Sequence, residues 1–389
     1  MGRSGADRVG HRAWCLGAWI TLGMLGAIDA DETATRAMQG ALADALQAQG
    51  KEAVSALRSI DPARLAPRYA PTRTCMLERL GARRAPSSTV SDPFVAGVLT
   101  AYREYWLRSL RHERPLPDNE AWLLARLNAH VKATRGRPAA SMDDLEPALG
   151  ALIDARGYHA LMGVTSPLRE LMLWKTETEQ HYEVSLPEGA QSVTVVFMDG
   201  FASLGWAGFA TCDLQHSGGW TKPDRLYAVR SAYDLTSEDF RVSYLAHEGQ
   251  HFSDNRRFPN LDQTDLEYRA KLVELAVGKT SVYHLLDAFA SNVGTDPSVP
   301  HSFANGRATK DLGQRLFSGG TNAPAWRDVS VERINAAAAD LLREDTARRK
   351  GARVHQLRPS ARSTDGRPAH RRSARPPAGA PTGRSQSAP

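Results

Sequence analysis

The sequence predicts an α+β protein, and three observations carry that prediction. Residues 31 to about 157 are rich in Ala, Leu, Gln and Glu, with apolar residues at helical spacing. From about 168 the texture changes to Val, Thr, Phe, Tyr and Trp, with a hairpin signal inside it. Helical texture then returns at Thr236 and carries two histidines four residues apart. The chain has 389 residues, 42% apolar and 24% charged, enough for two domains of ordinary globular composition.

The amino end is expected to stand outside the fold. Arg3, Arg8 and Arg12 precede the uncharged run "AWCLGAWITLGMLGAI", and Ala30 offers a small residue for cleavage. A basic start, an apolar run and a small residue make residues 1–30 a signal peptide. The run falls short of the roughly twenty residues that a spanning helix needs, an uncleaved anchor being the alternative. No later segment is apolar enough to span, so no stable membrane span is expected after cleavage. The expected location is periplasmic or secreted. Cleavage leaves Cys75 and Cys212. An oxidising compartment allows them to pair; two buried free thiols is the other reading.

The helical region is read as 31–165. "DETATRAMQGALADALQAQGKEAVSALRSI" is built from good helix formers. "PFVAGVLTAYREYWLRSLRH" opens with Pro93, suited to a first turn. "DNEAWLLARLNAHVKATRG" opens with a capping residue and stops at Gly136, and "SMDDLEPALGALIDARG" runs from a Ser141 cap to Gly157. The second domain is read as 166–345. There "HYEVSLP" and "QSVTVVFM" flank "EGA" as a hairpin, and "DRLYAVRSAYD" reads as a further strand. Thr236 and Asp239 suggest a capping box, "SNVGTDPSVPHSFANG" reads as loop, and "SVERINAAAADLLRED" as the last helix.

Residues 346–389 are dominated by Arg, Pro, Ser, Gly and Ala and are expected to be disordered. The net charge of +6 is concentrated there: from Arg343 onward the chain carries about +9, leaving about −3 elsewhere. No aromatic interleaves the tail arginines, which with export argues against a nucleic-acid partner.

The segment "TSEDFRVSYLAHEGQHFSDN" holds the chemistry. His247 and His251 are four apart and so lie on one helical face, one turn from each other. Two imidazoles so placed can direct ring nitrogens at one tetrahedral Zn2+. Glu248 lies about 100° around the helix, beside the metal, where a carboxylate can take a proton from an activated water. A third protein ligand is needed. Downstream, in "FPNLDQTDLEYRAKLVELAVG", Glu267 and Glu274 are seven apart on one face, and Asp262 and Asp265 stand nearby. Glu267 has a competing explanation, since Thr264 to Glu267 also spells a capping box.

On these residues the chain resembles a zincin metallopeptidase of the glutamate-ligand group, the gluzincins. "HEGQH" is their full His-Glu-x-x-His motif, and "EYRA" is similar to the Glu-x-x-Ala that often carries their third ligand. Motif-level similarity covers about thirty residues, and architectural similarity covers roughly 165 to 345. The resemblance implies a zincin-like mixed sheet before the active-site helices, with Glu267 as third ligand. It also implies an edge strand that binds peptide, a role for which "DRLYAVRSAYD" is in the right place. Members often use a downstream His or Tyr on the oxyanion; His301 is the first candidate here, with Tyr283 and His284 behind it. Some members carry an aspartate four residues after the third ligand, where this chain has Lys271.

The resulting expectation is a zinc metallopeptidase acting on a peptide or protein. His247, His251 and Glu267 would bind the metal; Glu248 and His301 would be catalytic. The alternative is a non-catalytic, metal-containing binding or scaffold protein of the cell envelope. The sequence leaves substrate identity and oligomeric state open.

Overall fold

Helix signals in the first half translate directly into structure. The computed structural model describes residues 16–19, 32–297, 299–317 and 325–357. Strand β1 (Leu16–Trp19) precedes six helices: α1 (Glu32–Leu46), α2 (Gly50–Ser59), α3 (Ala70–Gly81), α4 (Pro93–Leu110), α5 (Leu116–Arg135) and α6 (Met142–Asp154). Apart from β1, the expected leader 1–30 lies outside the described residues. Asp92 caps α4 by accepting from the Val95 N–H at 2.9 Å, and Pro93 follows as the first helical residue. Ser141 caps α6 through the Asp144 N–H at 3.1 Å, and Gly136 ends α5 in the left-handed region, φ 71°.

The amino-terminal stretch of good helix formers folds as two helices. The chain turns at Gln47–Gln49, with Ala48 at φ 59°. Gly50 then presses on α4: a Cβ there would lie 2.6 Å from the Leu110 carbonyl oxygen. Only glycine allows that approach.

Eight short elements follow: β2 (His159–Thr165), β3 (Leu168–Trp174), β4 (Thr176–Leu186), β5 (Gly189–Asp199), β6 (Ser203–Leu204), α7 (Gly205–Thr211), β7 (Ser217–Thr221) and β8 (Leu226–Val229). They form a three-stranded sheet, β2-β3-β6, and a five-stranded sheet, β1-β7-β8-β5-β4. The β4–β5 hairpin closes at Leu186 opposite Gly189, as the pattern around "EGA" predicts. The larger sheet is mixed, because β5 and β8 are parallel while the other pairs are antiparallel. The strand in "DRLYAVRSAYD", β8, is not the expected edge. It is internal, paired with β7 on one side and β5 on the other, so it offers no free edge to a peptide.

The carboxy-terminal half adds α8 (His247–Arg257), α9 (Gln263–Val277), α10 (Val282–Ser291), α11 (Pro300–Leu316) and α12 (Val331–Leu357). The segment read as loop through "PHSFANG" is the start of α11, with Pro300 in its first turn. The sequence misled because Asn305 and Gly306 are poor helix formers. Tertiary packing overrides them: Ala304, Ala308 and Leu312 are fully buried at helical spacing, and Tyr268 of α9 donates to Asp311 at 2.8 Å. Helix α12 runs past 345 to Leu357; residues 358–389 of the expected tail lie outside the described residues. The chain divides into two units between Glu344 and Asp345.

Two main cores organise the first unit. One joins α1–α6 to β2, β3 and α7. Buried Trp106 and Trp206 stitch it, donating to the Arg169 and Thr165 carbonyls at 2.8 Å each. Each indole removes enough area from water for roughly 5 kcal/mol before ordering costs. The other core lies between the β4, β5 and β8 faces and the helices from Phe240 to Leu342. A disulfide joins Cys75 of α3 to Cys212, the residue after α7. Among the described residues no helix is long and apolar enough to cross a membrane.

Candidate metal centre

The helix bearing the histidines does not begin at Thr236. Ser237 accepts from the Phe240 N–H at 3.0 Å, while Thr236 turns its hydroxyl to Asp234. The next stretch, Phe240–Ala246, is a π-helix that hands over to α8 at His247. Such wide turns add a residue to the helical circuit and re-aim the side chains beyond them. Here Phe240 and Tyr244 stack with centroids 5.5 Å apart, and Tyr244 lies against Gly219 of β7. A Cβ on Gly219 would stand 2.2 Å from the Tyr227 oxygen and 2.7 Å from the Tyr244 ring. The glycine therefore lets β7 and the π-helix close on each other. Thr221, on the same face of β7 as Gly219, reaches Glu248, one turn beyond Tyr244.

His247, His251 and Glu267 converge. The two Nε2 atoms are 3.0 Å apart. Glu267 Oε2 lies 3.4 Å from His247 Nε2, and its Oε1 lies 3.4 Å from His251 Nε2. These donors form a group able to hold one ion. Zinc bonds of about 2.0–2.1 Å in a tetrahedron separate neighbouring donors by about 3.3 Å, so the spacing fits. Helix α9, which packs against α8, delivers Glu267, and Ala270 three residues on is fully buried.

The surrounding charges fit a divalent ion as well. His247, Glu248 and His251 are fully buried, and Glu267 and Glu274 nearly so. With neutral imidazoles, the carboxylates of Glu248, Glu267 and Glu274 against Lys271 leave two negative charges in a low-dielectric site, which a dication would neutralise. Burial opposes a charge on His247, but its hydrogen bonds to the Glu267 and Glu274 carboxylates outweigh it and raise its pKa to about 10. Burial likewise opposes ionisation of Glu267, yet His301 and His251 hold its pKa well below the carboxylate range. The pocket thus favours positive charge between the imidazoles and the Glu267 carboxylate.

Glu274 stands outside this triangle. Its Oε1 is 2.7 Å from His247 Nδ1 and 2.9 Å from Lys271 Nζ. This contact fixes the tautomer of His247 and leaves its Nε2 turned to His251 and Glu267. Burial works against its charge, but Lys271 and His247 bring its pKa down to about 2. Neither nearby aspartate reaches the triangle. Asp262 caps α9 through the Asp265 N–H at 2.8 Å, and Asp265 pairs with Arg307 at 2.7 Å. The cap is Asp262 rather than Thr264, so Glu267 is not the partner of a Thr264 capping box. Asp254, one turn past His251, faces Arg269 at 2.7 Å instead of an imidazole.

Glu248 is held on one side only. Thr221 Oγ1 donates to Oε2 at 2.5 Å, while Oε1 is buried with no hydrogen-bond partner among the described residues. The hydroxyl of Tyr233 is likewise buried and unpartnered; burial first, then Glu248 and Glu274, push its pKa well up. Sequence reading missed both Thr221 and Tyr233, since neither belongs to a local motif. His301 sits in the first turn of α11 with Nδ1 2.8 Å from Glu267 Oε2, its ring stacked over His247 at 6.4 Å. Tyr283 donates to the Val329 carbonyl at 2.8 Å, and His284 is exposed.

Comparison with family models, curated proteins and solved structures found no match.

Proposed function

We propose that the chain is an exported zinc metallopeptidase that hydrolyses peptide bonds, built on a zincin-like arrangement. The convergence of His247 Nε2, His251 Nε2 and the Glu267 carboxylate at 3.0–3.4 Å carries the reading. A zinc ion held there supplies Lewis acidity, polarising a carbonyl and bringing the pKa of a water down to near 7. With the ion in place, the unpartnered Oε1 of Glu248 would accept the proton of the attacking water and would later deliver it to the departing amine nitrogen. Thr221 keeps Oε2 engaged, so the reacting oxygen is defined. His301, with a 21% exposed side chain the most accessible member of the cluster, is the donor for the developing oxyanion. Removal of the expected leader, which carries β1, would free the outer edge of β7, and a peptide laid along that edge would pass Glu248. The Cys75–Cys212 disulfide supports an oxidising location.

One observation favours a second reading. The ligands and Glu248 are almost completely buried, as in a structural ion site of a binding or scaffold protein. Glu248→Gln separates the two. The peptidase reading expects full zinc content with peptide hydrolysis reduced at least a thousandfold. Zinc content that drops with the substitution, or a wild type that binds zinc and cleaves no peptide of a diverse library, supports the structural ion.

A further inference from the structure

Far along the chain from the histidines, a cavity of about 110 Å³ opens between α3, α4 and the turn after α7. Its lining includes Arg79, Arg103, Trp106, Phe201, Phe209 and Asp213. We propose that it is a binding site for a phosphate-type oxyanion held between Arg79 and Arg103.

Both guanidiniums are anchored but not neutralised. Arg79 Nη1 donates to the Phe209 carbonyl at 2.9 Å, and its guanidinium lies over the Phe209 ring at 5.3 Å. Arg103 Nη1 donates to the Ser87 carbonyl at 3.0 Å, and Nη2 to the Ala202 carbonyl at 3.4 Å. These bonds fix the planes of the two groups. They leave Arg79 Nε and Nη2 and Arg103 Nε without an acceptor among the described residues. Neither arginine has a carboxylate within ion-pair distance there, although both are half-buried. Burial pulls the pKa of each downward; Arg79 adds to that effect on Arg103, and Asp213 is the opposing charge at both. An anion would relieve this desolvated, mutually repelling pair.

The charge balance favours a dianion over a simple carboxylate. Two full positive charges face the single exposed carboxylate of Asp213. A second hollow, lined in part by other residues of α4, carries Arg83, Arg84, Arg108 and Arg111 against Glu104 and Glu113. Guanidinium forks on two walls suit the several oxygens of a tetrahedral group. The walls are also fixed to each other. Cys75 lies one turn before Arg79 on α3, Cys212 immediately precedes Asp213, and the disulfide joins them.

The test is isothermal titration of the full oxidised chain with sodium phosphate at constant ionic strength. Sulfate, acetate and glycerol phosphate are run in parallel. Saturable one-to-one binding of phosphate and sulfate is expected, with acetate at least tenfold weaker. Glycerol phosphate tighter than phosphate identifies an esterified source such as a lipid headgroup; the reverse identifies the free ion. Arg79→Gln should weaken phosphate at least tenfold. Asp213→Asn should tighten it several-fold. The latter variant keeps an asparagine at φ 63°, a conformation that residue tolerates, so it decides the matter if Arg79→Gln does not fold. The proposal is overturned if phosphate gives no saturable binding, if acetate binds as well, or if Asp213→Asn leaves phosphate affinity unchanged.

Discussion

His247 Nδ1 lies 2.7 Å from Glu274 Oε1, and this contact separates the two glutamates that the sequence offered as third ligand. Glu267 faces the two Nε2 atoms of His247 and His251; Glu274 faces the opposite nitrogen of one ring. The two positions therefore predict different losses. Glu274→Gln should retain zinc with an affinity about 10–100-fold lower, the usual effect of removing a partner behind a ligand. Glu267→Gln should lose zinc almost entirely in the same chelator competition. Equal losses would contradict the division of roles.

Thr221 predicts a catalytic effect without a metal effect. Its hydroxyl is the partner of Glu248 Oε2 at 2.5 Å, and a charge-assisted hydrogen bond contributes on the order of 1.5 kcal/mol. Thr221→Val should lower kcat about tenfold with zinc stoichiometry unchanged, and Thr221→Ser should restore most of the rate. A Thr221→Val variant that hydrolyses peptide as fast as wild type would remove the hydroxyl from the proposed mechanism.

Stability should depend on pH through Glu170. This carboxylate is buried where it accepts from the Leu171 and Trp206 N–H groups at 2.9 and 3.0 Å. Burial outweighs those hydrogen bonds and raises its pKa from 4.5 to about 7. The folded chain therefore holds a proton that the unfolded chain has already released between these values. Its contribution is fully present below about 4.5 and is lost as pH rises through 7, a change of about 3 kcal/mol. Urea unfolding of wild type and Glu170→Gln from pH 4.5 to 8 should show this slope in the wild type and its absence in the variant. Parallel curves would show that Glu170 titrates normally.

The disulfide closes a loop with a sequence separation of 137. Replacing both Cys75 and Cys212 by serine should lower unfolding free energy by about 2–4 kcal/mol. Denaturant midpoints of the oxidised wild type and the double variant measure it. No difference would mean that packing around α3 and α7 holds this region unaided.

The range of an interaction decides whether the sequence discloses it. The His247–His251 pair, the Ser141 cap, the Gly136 stop and the β4–β5 hairpin rest on residues a few positions apart, so spacing alone reveals them. Thr221 meets Glu248 only because β7 runs beside the π-helix over Gly219, a relation between distant segments. The internal place of β8 is likewise set by strand order, which its own composition does not encode. Helix α11 was hidden because its first turns contain Asn305 and Gly306 and are held by burial against α9. With it, the contact of His301 with Glu267 was hidden too.

The central claim is a divalent ion gripped by two imidazoles and one carboxylate. Anomalous diffraction at the zinc absorption edge, from crystals of protein purified without chelator, tests it most directly. The account predicts one strong peak about 2.0–2.2 Å from His247 Nε2, His251 Nε2 and a Glu267 oxygen. Density showing the two imidazoles hydrogen-bonded through a proton, with no peak even after zinc soaking, would contradict it.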